Sequence, residues 1–327
     1  MNHHHASRSF LALAALGVSG CVLDARHSES EGSFNRTLTV NGPVELDVQT
    51  GSGSIQVRTG GPGTVVVRGR VWSHWGCWSG ASPEEQIREV EAKPPVEQSG
   101  NEIRLGALRS PWDCVSISFD VTVPPDSRVR ARSGSGSQSI AGVHGPVEAS
   151  AGSGALRIDH TTGDVKASTG SGGIDVETCG GSLIARAGSG SIWASGVEGD
   201  IEAHAGSGRV TATQMGRGRT EATTGSGGIS VSNVHGPLRL HTGSGSVTVD
   251  GEPTGSWNVW TGSGHVDVRV PASAAFDLDA LTHSGRIHSD RELAVVGGVT
   301  RGRLRGQVRG GGPPVEVSTA SGSIRIQ

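Results

Sequence analysis

"GSGALRIDHTTGDVKAST" (152–169), "GSGGIDVETCGGSLIARA" (170–187) and "GSGSIWASGVEGDIEAHA" (188–205) are three consecutive variants of one unit. Gly-Ser-Gly begins at Gly51, Gly134, Gly152, Gly170, Gly188, Gly206, Gly225, Gly243 and Gly262, and from Gly134 onward the spacing is 18 or 19 residues. A fixed period of this length marks a solenoid. Within the unit, apolar or small residues fall at the fifth, seventh, tenth, fourteenth and sixteenth positions, with polar residues between them. Each alternation has a period of two, which puts those side chains on one face of a strand, so each unit predicts two short strands. Gly-Ser-Gly and a second glycine near the twelfth position are expected at corners, where the backbone takes the positive φ that glycine adopts freely.

One unit has too few inward side chains, many of them only Ala or Val, to offset the entropy of ordering its backbone. Stacking pairs each backbone with the next and seals an apolar column, with a rise of about 4.8 Å per coil. The expected fold is all-β: a single-stranded parallel β-helix of about 18 residues and two strands per coil, with the repeats over 132–290. About eight coils give a length of roughly 40 Å. Parallel crossovers favour the right-handed form. The longer units at Gly206 and Gly243 should carry their extra residue at corners, and Trp257 should fill the core.

Composition agrees with a repeat. The chain of 327 residues has 53 glycines, four phenylalanines and no tyrosine, which is unlike an ordinary mixed α/β enzyme. Its net charge of −3 argues against a field that gathers nucleic acid, and no nucleic-acid partner is expected. The first 20 residues hold Arg8, the apolar run "FLALAALGV" and then "VSGC" ending at Cys21, which is a secretion signal too short to remain as a membrane span. "VSGC" resembles a bacterial lipobox. That resemblance implies cleavage before Cys21 and acylation of its thiol and new amino group, enough for stable anchoring. Val22 after the cysteine favours the outer membrane. Residues 21–36 are polar and aperiodic, the pattern of a tether.

Export places the remaining cysteines where disulfides persist. Cys77 and Cys114 lie in similar settings, "WGCWS" and "PWDCVS", and are candidates for a bond, while Cys179 falls at an inward repeat position and should be buried and free. Residues 37–131 break the period into strand-like runs and form an expected N-terminal cap. Within it Ser82, Pro83 and Glu85 open one short helix with a capping box. Residues 291–327 should close the other end, since open sheet edges invite endless pairing.

The strand-rich head ending in "VTVPPDS", the tandem "GSGSI" units and the tail "FDLDALTHSGRI…LRGQVRGGGPPVEVSTASGSIRI" resemble the bacterial β-strand-repeat domain of unknown function called a "putative adhesin". The resemblance spans roughly 37–327 and implies a β-solenoid and an adhesin-like role. It brings no catalytic motif to map onto this chain.

Several chemistries fail on spacing. Phosphate-binding glycine loops need a helix N-terminus or a following lysine, whereas strands follow here. A calcium roll needs an aspartate in every coil, whereas the sixth position holds Asp175 and Asp267 only. The histidines do not stack at one position, so no metal site and no cofactor are expected. The densest acidic cluster is Asp159, Asp175 and Glu177, with Arg157 below Asp175. It is either a charge-compensated solvated face or the carboxylate set of a polysaccharide hydrolase or lyase. Two other groups suit binding. Trp72, Trp75 and Trp78 could stack on a glycan or fill a protein interface, or else form a lid around the disulfide. Arg301, Arg303 and Arg305 alternate along one strand and could meet an anionic envelope ligand, or else simply charge the end of the stack. The expected molecule is a monomeric, non-catalytic, lipid-anchored scaffold or adhesin-like module of the bacterial envelope, with an envelope glycan or protein as ligand. A carbohydrate-active enzyme is the competing class.

Overall fold

The computed structural model describes residues 31–73, 82–106, 115–295 and 302–327. They form two large sheets, one of 14 strands (sheet 1) and one of 15 (sheet 2), with a single α-helix, Pro83–Ala92, among the described residues. The chain alternates between the sheets. A strand such as Val165–Thr169 in sheet 2 passes through Gly-Ser-Gly into Ile174–Cys179 in sheet 1 and returns to sheet 2 at Leu183–Ala187. Each strand pairs in parallel with its counterpart one period away, for instance Ile158 with Val176 and Ala167 with Ala185. The inward positions are the expected ones: Leu156, Ile158, Val165 and Ala167 in one coil, and Ile174, Val176, Cys179, Leu183 and Ala185 in the next, are buried. Trp257 is buried too, and its indole N–H donates to the Gly236 carbonyl at 3.1 Å.

Twelve successive strands in each sheet pair in parallel, so the stack has twelve coils, roughly 50 Å along its axis. Eight are the consecutive repeats expected from the period. The other four lie in pairs at the two ends and are out of chain order. At the N-terminal end, the coil at 45–59 sits between the coil at 128–141 and an outer coil built from Glu102–Leu105 and Val115–Val123. Gly51 and Gly134 are therefore neighbours in space although a long excursion separates them in sequence. At the other end, the last strands, Pro314–Ser321 and Ile324–Ile326, slide between the coil at 257–269 and the outermost coil at 276–289. The C-terminal strands and the coil at 45–59 are thus held inside the stack, each covered by a coil that lies elsewhere in the chain order.

Two expectations change. The tether expected over 21–36 gives way by Glu31, where the strand Glu31–Thr39 begins and pairs antiparallel with Thr64–Ser73. It is ordered because Phe34 is buried, edge to face with Phe119 at 6.3 Å. The glycines of Gly-Ser-Gly are not there for positive φ. A Cβ on the second glycine of the motif, at 136, 154, 172, 190, 208, 227, 245 or 264, would lie 1.7–2.2 Å from the carbonyl oxygen of the same glycine one coil away. Close backbone stacking, not dihedral freedom, selects glycine there. The left-handed residues occupy the opposite corner, where Gly142, His160, Thr178, Gly196 and Asn233 have φ between +52° and +76°.

Ahead of Gly-Ser-Gly stands a column of small buried residues, several of them threonine. Thr224 donates to the Gly208 carbonyl at 3.0 Å and accepts from the Gly227 N–H at 3.1 Å, and Thr169, Thr242 and Thr261 donate to the equivalent glycine carbonyls. These hydroxyls satisfy corner backbone groups that neither ladder reaches. The helix has the expected capping box, with Ser82 and Glu85 bonding reciprocally. It buries Ile87 and Val90 over the end of sheet 1, beside Glu31–Thr39 and Thr64–Ser73.

Candidate functional site

Outward side chains on a parallel stack form ladders, because equal positions in adjacent coils lie about 4.8 Å apart. On sheet 1 one such ladder runs Arg157, Asp175, Trp193, Thr211, Ser230 and Thr248, and the ladder two residues along runs Asp159, Glu177, Ser195, Thr213 and Ser232. The acidic cluster expected from the sequence is assembled here. Arg157 donates to Asp159 at 2.9 Å and lies 3.7 Å from Asp175 and 3.6 Å from Glu177. Three carboxylates thus share one guanidinium. Burial pushes the Asp175 carboxyl above the ordinary carboxylate range, Arg157 pulls it down, and Asp159 and Glu177 push it up. Asp159 and Asp175 each keep one buried oxygen without a hydrogen-bond partner.

Trp193 stands one coil above Asp175 and is 42% exposed, on an outward face otherwise made of charges and small hydroxyls. Its neighbours Thr211 and Ser195 are too small to cover the ring, so an indole face is left to solvent. Sequence reasoning passed over this residue because a single aromatic at an outward repeat position breaks no pattern.

The other expected residues are dispersed. Trp72, near the end of Thr64–Ser73, is half-buried opposite Glu31 and Ser116. Trp75, Trp78, Cys77, Cys114 and Arg301 lie outside the described residues, as does Cys21. Arg303 and Arg305 do not form a free basic face. Their strand pairs antiparallel with Phe276–Ser284, opposite Asp279, and both donate to the Asp279 carboxylate at 2.7–3.0 Å. These hydrogen bonds hold the Asp279 carboxyl down at about 2. Cys179 is buried and free, and burial raises its thiol pKa, so it is a core residue and not a nucleophile. No His, Cys, Asp and Glu group among the described residues is arranged to hold a metal ion.

Sheet 2 carries compensated ladders of its own. Glu148 lies 3.0 Å from Arg130 and 3.9 Å from Lys166, and Glu202 pairs with both Arg186 and His204. His241 stacks on Trp260 with ring centroids 4.2 Å apart. The extra residue of the 243–261 coil hid that neighbour relation in the sequence. Beside the first of these ladders a cavity of 240 Å³ opens over four coils.

A model of the Toastrack DUF4097 family matches residues 121–327, more than half of the chain. Two solved structures match over most of this chain. A "putative cell adhesion protein" from Clostridium sporogenes is 12% identical, with 91% of this chain and 99% of that one covered and a TM-score of 0.20. A "putative adhesin" from Bacteroides fragilis is 15% identical, with 74% and 99% covered and a TM-score of 0.32. No curated protein matches the sequence.

Proposed function

Because the chain belongs to the Toastrack DUF4097 family, whose fold is a β-solenoid, we propose that it is a non-catalytic, adhesin-like binding module, exported and held to the bacterial envelope through lipidated Cys21. The observation that carries the reading is Trp193. An indole face left bare beside Asp175, on an extended polar sheet, suits a ligand that stacks an apolar ring face and offers hydroxyl donors, as a glycan does. The neighbouring acids support binding over hydrolysis. Glycosidases hold their two carboxyl groups roughly 5–10 Å apart around a vacant space for the scissile bond. Here Arg157 occupies the space between the acids and partly neutralises them.

The test is binding of the full chain, purified in detergent, to a panel of envelope glycans and proteins. Trp193→Ala should weaken the strongest interaction at least tenfold, and undiminished binding would remove sheet 1 from the account. Turnover of any panel glycan that is lost in Asp175→Asn would replace the binding reading with the enzyme. For the anchor, Cys21→Ser should move the protein out of the membrane fraction, and unchanged fractionation would refute lipidation.

A further inference from the structure

The cavity on sheet 2 is opposite in character to the acidic face of sheet 1. Two ladders line it. One steps through Arg128, Pro146, Asp164 and Ser182, and the other through Arg130, Glu148, Lys166 and Ile184. Four coils at about 4.8 Å make a trough roughly 14 Å long, and the two ladders, two residues apart along each strand, make it roughly 7 Å wide. Most outward positions of a solenoid are polar, yet Pro146 and Ile184 are outward here and give the 240 Å³ space apolar patches at two points along its length.

The charges around this floor do not cancel. Arg128 has no ion pair or hydrogen bond from its side chain among the described residues. Glu148 is already engaged by Arg130 at 3.0 Å, which leaves Lys166 only a 3.9 Å approach to the same carboxylate. Asp164 is occupied otherwise, since its carboxylate accepts the Ser182 N–H at 2.8 Å. Within the lining three cations face two acids, and Glu45, which continues the first ladder one coil beyond Arg128, forms no ion pair with it. Arg128 and Lys166 are exposed with spare donors on opposite ladders. Arginine and lysine with free donors recognise carboxylates, and the apolar patches recognise the C–H face of a ring.

We propose that this trough binds an acidic glycan of the uronic-acid class, with the sugar chain along the solenoid axis. Arg128 and Lys166 take the carboxylates, and Pro146 and Ile184 support the pyranose faces. One coil rise is close to the length of one pyranose unit, so successive sugars meet successive coils. The inference rests on the reading of this chain as a binding module but uses the other sheet, so the two can fail separately.

The experiment is calorimetric titration of the full chain in detergent with trigalacturonate, with neutral galactotriose as the control. Trigalacturonate should bind at least tenfold more tightly than the neutral trisaccharide, and the difference should shrink at high salt. The variant R128A/K166A removes exposed side chains and should keep the melting temperature while losing at least tenfold in affinity. Ile184→Ser should lose severalfold, and Trp193→Ala should change nothing. The site is overturned if the wild-type chain fails to bind trigalacturonate, if the neutral sugar binds equally, or if R128A/K166A binds as the wild type does. Loss of trigalacturonate binding in Trp193→Ala would place the ligand on sheet 1 instead.

Discussion

Gly190→Ala should be among the most damaging single-methyl changes in the molecule. The new Cβ would lie 1.7 Å from the Gly172 carbonyl oxygen and 2.5 Å from its carbon, and these are backbone atoms that cannot swing aside. Real Cβ contacts essentially never fall under 3.0 Å, so the coils must part locally by about 1.3 Å. Parting them strains the hydrogen bonds of this corner, where Ser189 N–H donates to Gly170 and Gly188 N–H to Thr169, both at 3.0 Å. Overpacking costs about 1–3 kcal/mol and each of the two weakened backbone bonds about 0.5–1.5 kcal/mol, so the expected loss is about 2–6 kcal/mol. Urea denaturation followed by circular dichroism measures it, with Ser189→Ala, at the exposed middle of the same corner, as the control. Gly190→Asn separates close approach from dihedral need. Asparagine tolerates left-handed backbone, so a dihedral requirement would spare it, whereas close approach makes it at least as harmful as alanine. Gly196, with φ +70° and no atom nearer than 3.4 Å, should show the reverse and accept asparagine at little cost. If Gly190→Ala is as mild as Ser189→Ala, close stacking does not explain the repeat.

Thr178 holds φ +60° with a β-branched side chain, a backbone region that costs an ordinary L-residue about 1–2 kcal/mol. Thr178→Asn should therefore raise stability by about 1 kcal/mol in the same denaturation assay, as Asn233 at the equivalent corner suggests, and a loss would show that the strain is relieved by some other contact. Asp279 has its folded-state pKa lowered to about 2 by hydrogen bonds from Arg303 and then Arg305. A carboxyl lowered in this way stabilises the fold above its unfolded value of about 3.9 and loses that contribution as pH falls toward the folded value. Asp279→Asn should melt lower than the wild type at neutral pH, and the gap should close between about pH 4 and pH 2. A gap that stays constant across that range would mean that charge is not the source. Thr224→Val should cost about 1–3 kcal/mol by leaving the Gly208 carbonyl and Gly227 N–H unpaired, and Thr224→Ser much less.

Much of this architecture is visible in the period. Eighteen-residue spacing locates the inward column from Leu156 to Val268, places Trp257 and Cys179 in the core, and brings Arg157 beneath Asp175, because parallel in-register stacking turns sequence distance into neighbour relations. The capping box at Ser82 is equally local. What the period leaves out is pairing between segments that do not follow one another. Nothing local tells the coil at 45–59 to sit inside the one at 102–123, or the last strand to slide beneath the coil at 276–289. The alternating arginines at 303 and 305 look free for the same reason, since Asp279 reaches them only through an antiparallel pairing. Glycine was legible as a corner residue, but its cause was not. Close approach and positive φ leave the same letter, and only the carbonyl of the adjacent coil distinguishes them. The left-handed corner was hidden because His160, Thr178 and Asn233 occupy it in place of glycine.

The threading of the 45–59 coil and of the C-terminal strands into a twelve-coil stack is what closes this molecule, and amide hydrogen exchange of the C-terminal strands tests it most directly. The amides of Glu316, Ser318, Arg325 and Gln327 lie on the edge that faces the inner coil, as Gln327 N–H does in donating to the Val268 carbonyl at 2.8 Å. They are expected to exchange as slowly as those of Val259 and Val266 in the coil they cover, and more slowly than those of the outermost coil at 276–289. Exchange of the last strands ahead of the 276–289 coil, as in a terminus that frays, would contradict the threaded end and the fold described with it.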